Sequence, residues 1–159
     1  GTSATTFAPY ANTSRGMIVT ILHGMCGKPV FEGCVFSDVE EGAYYAKATC
    51  WASQNQIISG FGQGKFGPGE DVQRDQLAVI MMRYAQYLGL ETPERADLNG
   101  FADADQISAY AQEAISWANA VGLLSGKGDG IMDPQGVATR AEVAAMMARL
   151  DQMVKQTEG

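Results

Sequence analysis

The sequence predicts an all-α protein built from tandem helix–glycine-rich loop–helix repeats. Three observations predict it. "SGFGQGKFGPGEDVQRDQLAVIMMRY" from Ser59 aligns without a gap on "SGKGDGIMDPQGVATRAEVAAMMARL" from Ser125, a register of 66 residues. Apolar residues on the flanking segments recur at alternating spacings of three and four, which makes one helical stripe. The segments between them carry alternate glycines followed by proline, a run that neither helix nor strand accommodates cheaply.

The first element is the second half of a repeat, over residues 1–30. A shift of 59 residues places Phe7, Pro9, Arg15, Ile18, Ile21 and Leu22 on Phe66, Pro68, Arg74, Leu77, Ile80 and Met81. Gly1 then falls on Gly60, so the sequence opens inside a repeat, where a first helix would have ended. A full repeat follows over 31–95. Its first helix is predicted from Glu41 to Gln54, with Tyr44, Ala48, Trp51 and Ala52 on the stripe; its second carries Leu77, Ile80, Met81, Tyr84 and Leu88. The last repeat covers 96–159. Its first helix is predicted from Gln106 to Val121 with Tyr110, Ala114, Trp117 and Ala118, and its second carries Val143, Met146, Met147, Leu150 and Val154. Thr139 and Glu142 have the spacing of a capping box at that second helix. Ser14 takes the cap position in the half repeat, and Gln73 is a poorer cap in the middle one. A lone helical hairpin cannot bury its own stripe, so the copies must pack on one another.

Composition narrows the function classes. The 159 residues are 46 % apolar and 18 % charged, and 18 acidic against 11 basic residues give a net charge of −7. No broad positive field favours nucleic acid. No apolar run approaches the roughly 18 residues that span a bilayer, so no membrane insertion is predicted. The opening "GTSATTF" lacks the basic start and apolar block of a secretory leader. Cys26, Cys34 and Cys50 are odd in number and lack a CxxC spacing. With His23 as the single histidine they fall short of a zinc site, and neither metal nor cofactor is predicted. One disulfide plus a free thiol fits, as do three reduced thiols; buried reduced cysteines are the simpler reading.

Arg140 raises the functional question. It stands in the first turn of the last predicted helix, where backbone N–H groups are already positive and a cation forfeits about 0.3–1 kcal/mol relative to an anion. Arg15 and Arg74 occupy the same register. A guanidinium fork beside free helix-terminal donors suits a carboxylate placed between them. The alternative is a surface ion pair with a nearby acid. Trp51 and Trp117 suit stacking on sugar rings, or a core. Gly60, Gly62, Gly126 and Gly128 let backbone donors approach a ligand, or simply make tight turns. Asp38 and Asp103 suit sugar hydroxyls, or a cap on the first helix.

Taken in order, these pieces resemble the S-layer homology family of bacterial cell-surface modules. The resemblance lies in "FSDV" and "FADA" before the first helix, Trp51 and Trp117, the loops "IISGFGQGKFGP" and "LLSGKGDGIMDP", and "TRAE" at Thr139, with weaker forms "TSRG" at Thr13 and "QRDQ" at Gln73. It implies a pseudo-threefold, three-lobed bundle, here with the first lobe incomplete. It also implies a non-catalytic, extracellular module on the cell wall that binds an acidic, pyruvylated secondary cell-wall polysaccharide in grooves between repeats. By match, Arg15, Arg74 and Arg140 would meet the anionic sugar, with the site at Arg140 best preserved because Gln73 and Asp75 make the middle motif irregular. Gly24 stands where the other copies have Arg83 and Arg149. The resemblance further implies a larger anchored protein in the same precursor, and a partner chain as one source of the missing half repeat.

Three rival functions have weaker support in the residues. Glycoside hydrolysis needs two carboxylates about 5–10 Å apart; Asp103 with Asp105 or Glu142 is the pair available, and His23 has no nucleophile in an activation motif. "GKGDGIMDP" looks like a calcium loop but lacks spaced oxygen ligands and a closing glutamate. Met81, Met82, Met146 and Met147 suit adaptable protein contacts in an assembly role, although core packing explains them more simply.

Overall fold

The computed structural model describes residues 13–29, 36–40, 42–59, 64–126 and 130–158. These contain helices α1 (Arg15–Met25), α2 (Ala46–Gln54), α3 (Arg74–Tyr87), α4 (Gln112–Ala120) and α5 (Arg140–Glu158), with 3-10 turns at Ala104–Gln106 and Ala109–Ala111. The described residues form no strand; isolated bridges join Ser14 with Asp71 and Gln73 with Val137. The all-α reading holds.

The second helices start where the caps place them. Ser14 Oγ accepts from Met17 N at 3.2 Å. Thr139 Oγ1 accepts from Glu142 N at 3.2 Å while Glu142 Oε1 accepts from Thr139 N at 3.2 Å, a reciprocal box. At α3, Gln76 Oε1 accepts from Gln73 N at 3.0 Å.

The first helices are shorter than the periodicity suggested, beginning at Ala46 and Gln112 rather than Glu41 and Gln106. Tyr44 and Tyr110 therefore precede them, 68 % and 58 % exposed, instead of joining the buried stripe. The remaining stripe residues, Ala48, Trp51, Ala52, Ala114, Trp117 and Ala118, are buried as predicted.

Repeats interlock by a fixed rule. α1 packs on α2 and α3 packs on α4, so the second helix of one repeat lies on the first helix of the next. The helix starts meet in a closed ring of backbone hydrogen bonds: Val72 N to Thr13 O (3.0 Å), Ala138 N to Val72 O (2.8 Å) and Thr13 N to Ala138 O (3.2 Å). All three residues are buried, and the 59- and 66-residue registers make them equivalent. A ring of three equivalent groups, each donating to the next, marks a pseudo-threefold axis. The equivalent residues Ile18, Leu77 and Val143, and Leu22, Met81 and Met147, are all buried. Met82 and Met146 are buried too, which places the methionines in the core.

Cys50 is disulfide-bonded and Cys26 is a half-buried free thiol, so the reading of wholly reduced cysteines does not hold. His23 is buried, with Nε2 2.8 Å from Pro29 O and its ring 5.3 Å from that of Trp51.

Val72→Pro deletes one donor of the ring and leaves the buried Thr13 carbonyl unpaired. Urea denaturation is expected to show a loss of about 1–3 kcal/mol; an unchanged midpoint would show that the ring carries no stability.

Candidate functional site

The arginines at the helix starts reach sideways into the next repeat. Arg15 Nε donates to Phe66 O at 3.0 Å, its terminal nitrogen donates to Ser59 O, and its Cζ lies 4.8 Å from the Phe66 ring centroid. Arg74 repeats the grip one unit on, donating from Nε to Met132 O at 3.0 Å and from Nη2 to Ser125 O at 2.8 Å. Its remaining terminal nitrogen pairs with Glu142. Arg15 and Arg74 are buried, 7 % and 3 % exposed. Burial lowers both guanidinium pKa values, opposed by Glu70 and Asp38 at Arg15 and by Asp133 and Asp103 at Arg74.

The helix ends beside them are occupied as well. Arg15 N and Gly16 N donate to Glu70 O and Pro68 O, each at 2.9 Å; Arg74 N and Asp75 N donate to Gly136 O (2.8 Å) and Pro134 O (2.9 Å). The expectation of free donors awaiting a carboxylate therefore fails at α1 and α3, because the neighbouring loop supplies the acceptors. Arg140 differs. It is half-buried, and its buried Nε has no hydrogen-bond partner.

The aspartates hold the loops rather than capping the first helices. Asp38 Oδ1 and Oδ2 accept from Phe66 N (2.9 Å) and Gly67 N (2.8 Å). Asp103 accepts in the same way from Met132 N (2.9 Å) and Asp133 N (2.8 Å). The Phe66 and Gly67 N–H groups hold the Asp38 carboxyl below its ordinary range against an opposing burial effect. At Asp103 burial pushes upward, yet the Met132 and Asp133 N–H groups and Arg74 prevail and lower it. Each loop is thus gripped from two sides, by an aspartate on its N–H groups and by an arginine on its carbonyls.

Gly60, Gly62 and Gly128 lie outside the described residues. At Gly126 a Cβ would sit 2.6 Å from Ile131 O and 2.8 Å from Phe101 Cε1, so close packing explains this glycine. Trp51 and Trp117 are both 1 % exposed, which places them in the core with no ring face toward solvent. Trp51 Nε1 donates to Tyr87 Oη at 3.1 Å; Trp117 Nε1 has no partner, and the register puts Met153 where Tyr87 stands.

The open concavity lies elsewhere. A cavity of about 240 Å³ is lined by Arg15, Ser59, Gln76, Arg83 and Tyr110 among others. A second, of about 650 Å³, is lined by Ser53, Asn55, Gln56, Ser59, Arg83, Gln86 and Tyr87. Ser59 and Arg83 belong to both, so the two form one groove where three repeats meet. Arg83 is exposed and has no ion pair among the described residues. The exposed rings of Tyr87 and Tyr110 flank it. Burial, then Asp75, pushes the Tyr110 hydroxyl up to about 12, and that hydroxyl bonds Asp75. Sequence reasoning missed this constellation. Its signal in the sequence is the alignment of Arg83 on Arg149.

The equivalent positions in the last repeat are chemically different. Glu142 stands for Gln76 and is paired with Arg74. Arg149 lines a cavity of about 930 Å³ shared with Leu88, Leu90, Glu91, Glu94 and Met153, where the two acids oppose an anion. Among the described residues no group of three or more His, Cys, Asp or Glu is placed to hold a metal ion, and no helix is long and apolar enough to cross a membrane. Lys127, Gly128 and Asp129 of the calcium-like stretch lie outside the described residues.

Comparison with known proteins agrees with this repeat architecture. The S-layer homology domain matches residues 35–78 and 100–144. An endoglucanase of Bacillus sp. (strain KSM-635) is 30 % identical over 151 residues, covering 94 % of this chain and 16 % of the relative. A cell surface protein of Thermoanaerobacter kivui is 31 % identical over 114 residues, 72 % of this chain and 15 % of the relative. The exoglucanase XynX of Acetivibrio thermocellus is 33 % identical over 112 residues, 70 % of this chain and 10 % of the relative. The chain thus spans a small part of each, and the activities in those names belong to the whole relatives.

Two outcomes test the clamps. Arg74→Ala strips a buried cation from two carbonyls and Glu142, and is expected to cost about 3 kcal/mol by chemical denaturation, with Arg74→Lys a poor rescue because an ammonium lacks the fork. Asp38 and Asp103 have folded pKa values below the unfolded value of about 3.9, so their contribution is complete above that pH and is lost as pH falls below it. Denaturation midpoints measured from pH 6 to pH 2 should fall more steeply for the native sequence than for Asp38→Asn/Asp103→Asn; parallel curves would remove the assignment.

Proposed function

The chain belongs to the S-layer homology family, whose non-catalytic domains hold proteins at the bacterial cell surface, and we propose that it does so by binding an acidic, pyruvylated wall polysaccharide in the groove at Arg83. One observation carries the reading: an exposed guanidinium without an ion pair among the described residues stands at the junction of two cavities. A carboxylate ketal on a sugar is a planar two-oxygen acceptor, which the guanidinium fork matches with two parallel hydrogen bonds. Asn55, Gln56, Gln76 and Gln86 offer amide donors and acceptors for hydroxyl groups. Tyr87 and Tyr110 offer aromatic faces for sugar C–H surfaces, the role first assigned to Trp51 and Trp117. Arg15 lines the groove while gripping the loop, so its charge contributes to the field there.

Gln56 supports the same reading. It holds φ at +61°, a left-handed conformation that its equivalent, Gly122, adopts at +82° without a side chain. An L-residue there costs about 1–2 kcal/mol relative to a right-handed one, and such local cost is kept where the side chain has a use. Gln56 puts that side chain on the groove. Arg74 and Arg140 take supporting parts in this proposal, Arg74 as a loop clamp. The anchored cargo is proposed to be a larger surface protein of the same precursor, because the relatives carry the matching segment within much longer chains.

Arg83→Ala is expected to weaken binding to purified wall polymer by about 1.5–3 kcal/mol, more than tenfold, with the fold intact; Arg149→Ala should change it little. Gln56→Gly should raise thermal stability and weaken binding together. Equal losses at positions 83 and 149, or binding indifferent to removal of the acidic substituent, would overturn the assignment.

A further inference from the structure

The cavity of about 930 Å³ at Arg149 has a chemistry of its own. Where the Arg83 groove has Asn55, Gln56 and Tyr87, the register places Val121, Gly122 and Met153. Leu88, Leu90, Val121 and Met153 line the cavity, together with Glu91 and Glu94 from the connector after α3. Such a wall suits an aliphatic ligand with charged ends better than a polyhydroxylated one. Glu91, Glu94 and Arg149 are exposed and form no ion pair among the described residues. Arg149 Nη2 makes one long hydrogen bond, to Val121 O at 3.4 Å. Helices α3 and α4 both end at this cavity, with their C-caps Leu88 and Val121 in its wall. The negative poles of the two helices add to the two carboxylates and favour a cation there. The guanidinium favours a carboxylate.

A second, independent observation points into the same cavity. Trp51 Nε1 donates to Tyr87 Oη at 3.1 Å, and Tyr87 lines the Arg83 groove. The register puts Trp117 in the place of Trp51 and Met153 in that of Tyr87, and Met153 lines the Arg149 cavity. The Trp117 N–H is therefore directed at the cavity wall. Trp117 is 1 % exposed, and its Nε1 has no hydrogen-bond partner among the described residues. A thioether accepts weakly, whereas its flexible chain can swing aside for a better acceptor. A buried donor behind a movable side chain lacks only a ligand oxygen.

We infer that the cavity at Arg149 is a second binding site, for a peptide end that carries an aliphatic primary ammonium and a free carboxylate. The ammonium lies against Glu91 and Glu94, the carboxylate on Arg149, and the aliphatic stem along Leu88, Leu90 and Val121. A ligand carbonyl or carboxylate oxygen takes the Trp117 N–H. Two sources carry this chemistry at a cell surface, the peptide strands of the wall and the C-terminus of another protein. The inference uses neither Arg83 nor the glycan, so each reading can fail without the other.

The test is an NMR titration of the isotope-labelled whole chain with N-acetyl-alanyl-alanyl-lysine. Saturable binding is expected, about tenfold weaker when norleucine replaces the lysine and about tenfold weaker when an amide replaces the carboxylate. Glu91→Gln/Glu94→Gln should erase the first preference and keep the second, and Arg149→Ala should do the reverse. A change of selectivity of this kind is not produced by mere loss of structure. Trp117→Phe deletes the donor and should weaken all three peptides alike. Arg83→Ala should leave binding unchanged, as should Glu40→Gln/Asp105→Asn, which removes two exposed acids elsewhere. Absence of saturable binding, equal affinity for the three peptides, or full affinity in Trp117→Phe would overturn the inference. Displacement of the probe by peptide strands released from purified wall assigns the ligand to the wall. Displacement only by a C-terminal lysine peptide of protein origin assigns it to a neighbouring protein, and either result supports the site.

Discussion

The fold depends on three buried peptide groups, at Thr13, Val72 and Ala138, that donate to one another in a closed circle. Each lies two residues before a helix, so a strand pairing that would otherwise propagate stops after a single bridge. The circle has a direction. Every repeat gives its N–H to the previous one, and α1 and α3 give their N-termini to the loop of the next. Buried backbone groups left unpaired would each cost about 1–3 kcal/mol, so the three segments are satisfied only together, around one axis.

That constraint explains why an arginine stands at the positive end of a helix. Two main-chain carbonyls of the neighbouring loop replace water around the guanidinium of Arg15 and of Arg74, and hydrogen bonds to a charged group contribute about 1.5–3 kcal/mol. The gain exceeds the roughly 0.3–1 kcal/mol that the helix dipole withdraws. Asp38 and Asp103 complete the arrangement from the opposite side of the loop, where their carboxylates meet N–H groups. The shared motif is therefore a device for joining repeats. Chemistry specific to a ligand resides in positions where the copies have diverged: Gln76 against Glu142, Gln56 against Gly122, Tyr87 against Met153.

The divergence also makes the grooves electrostatically unequal. Near Arg15 the equivalent position carries the neutral amide of Gln76, and Arg83 adds a further cation. One repeat later Glu142 neutralises Arg74, and Glu91 and Glu94 stand beside Arg149. A chain with a net charge of −7 can still attract an anion at one place, because interactions between exposed charges fade over about 8–10 Å at ordinary ionic strength. Common ancestry fixes the frame and leaves each groove its own affinity.

The sequence by itself determined the helices, the repeat registers, the caps at Ser14 and Thr139, and the buried stripes through Trp51 and Trp117. All of these follow from spacing along the chain, and spacing is a local property. Only the tertiary structure decided what the repeated polar residues touch. Arg15 meets carbonyls 44 and 51 residues away, Arg74 meets them 51 and 58 residues away, and Asp38 and Asp103 reach about half a repeat ahead. No periodicity encodes such distances. A charge in a sequence announces that it needs a partner, whereas the packing of the repeats settles whether that partner is the protein's own backbone or something from outside.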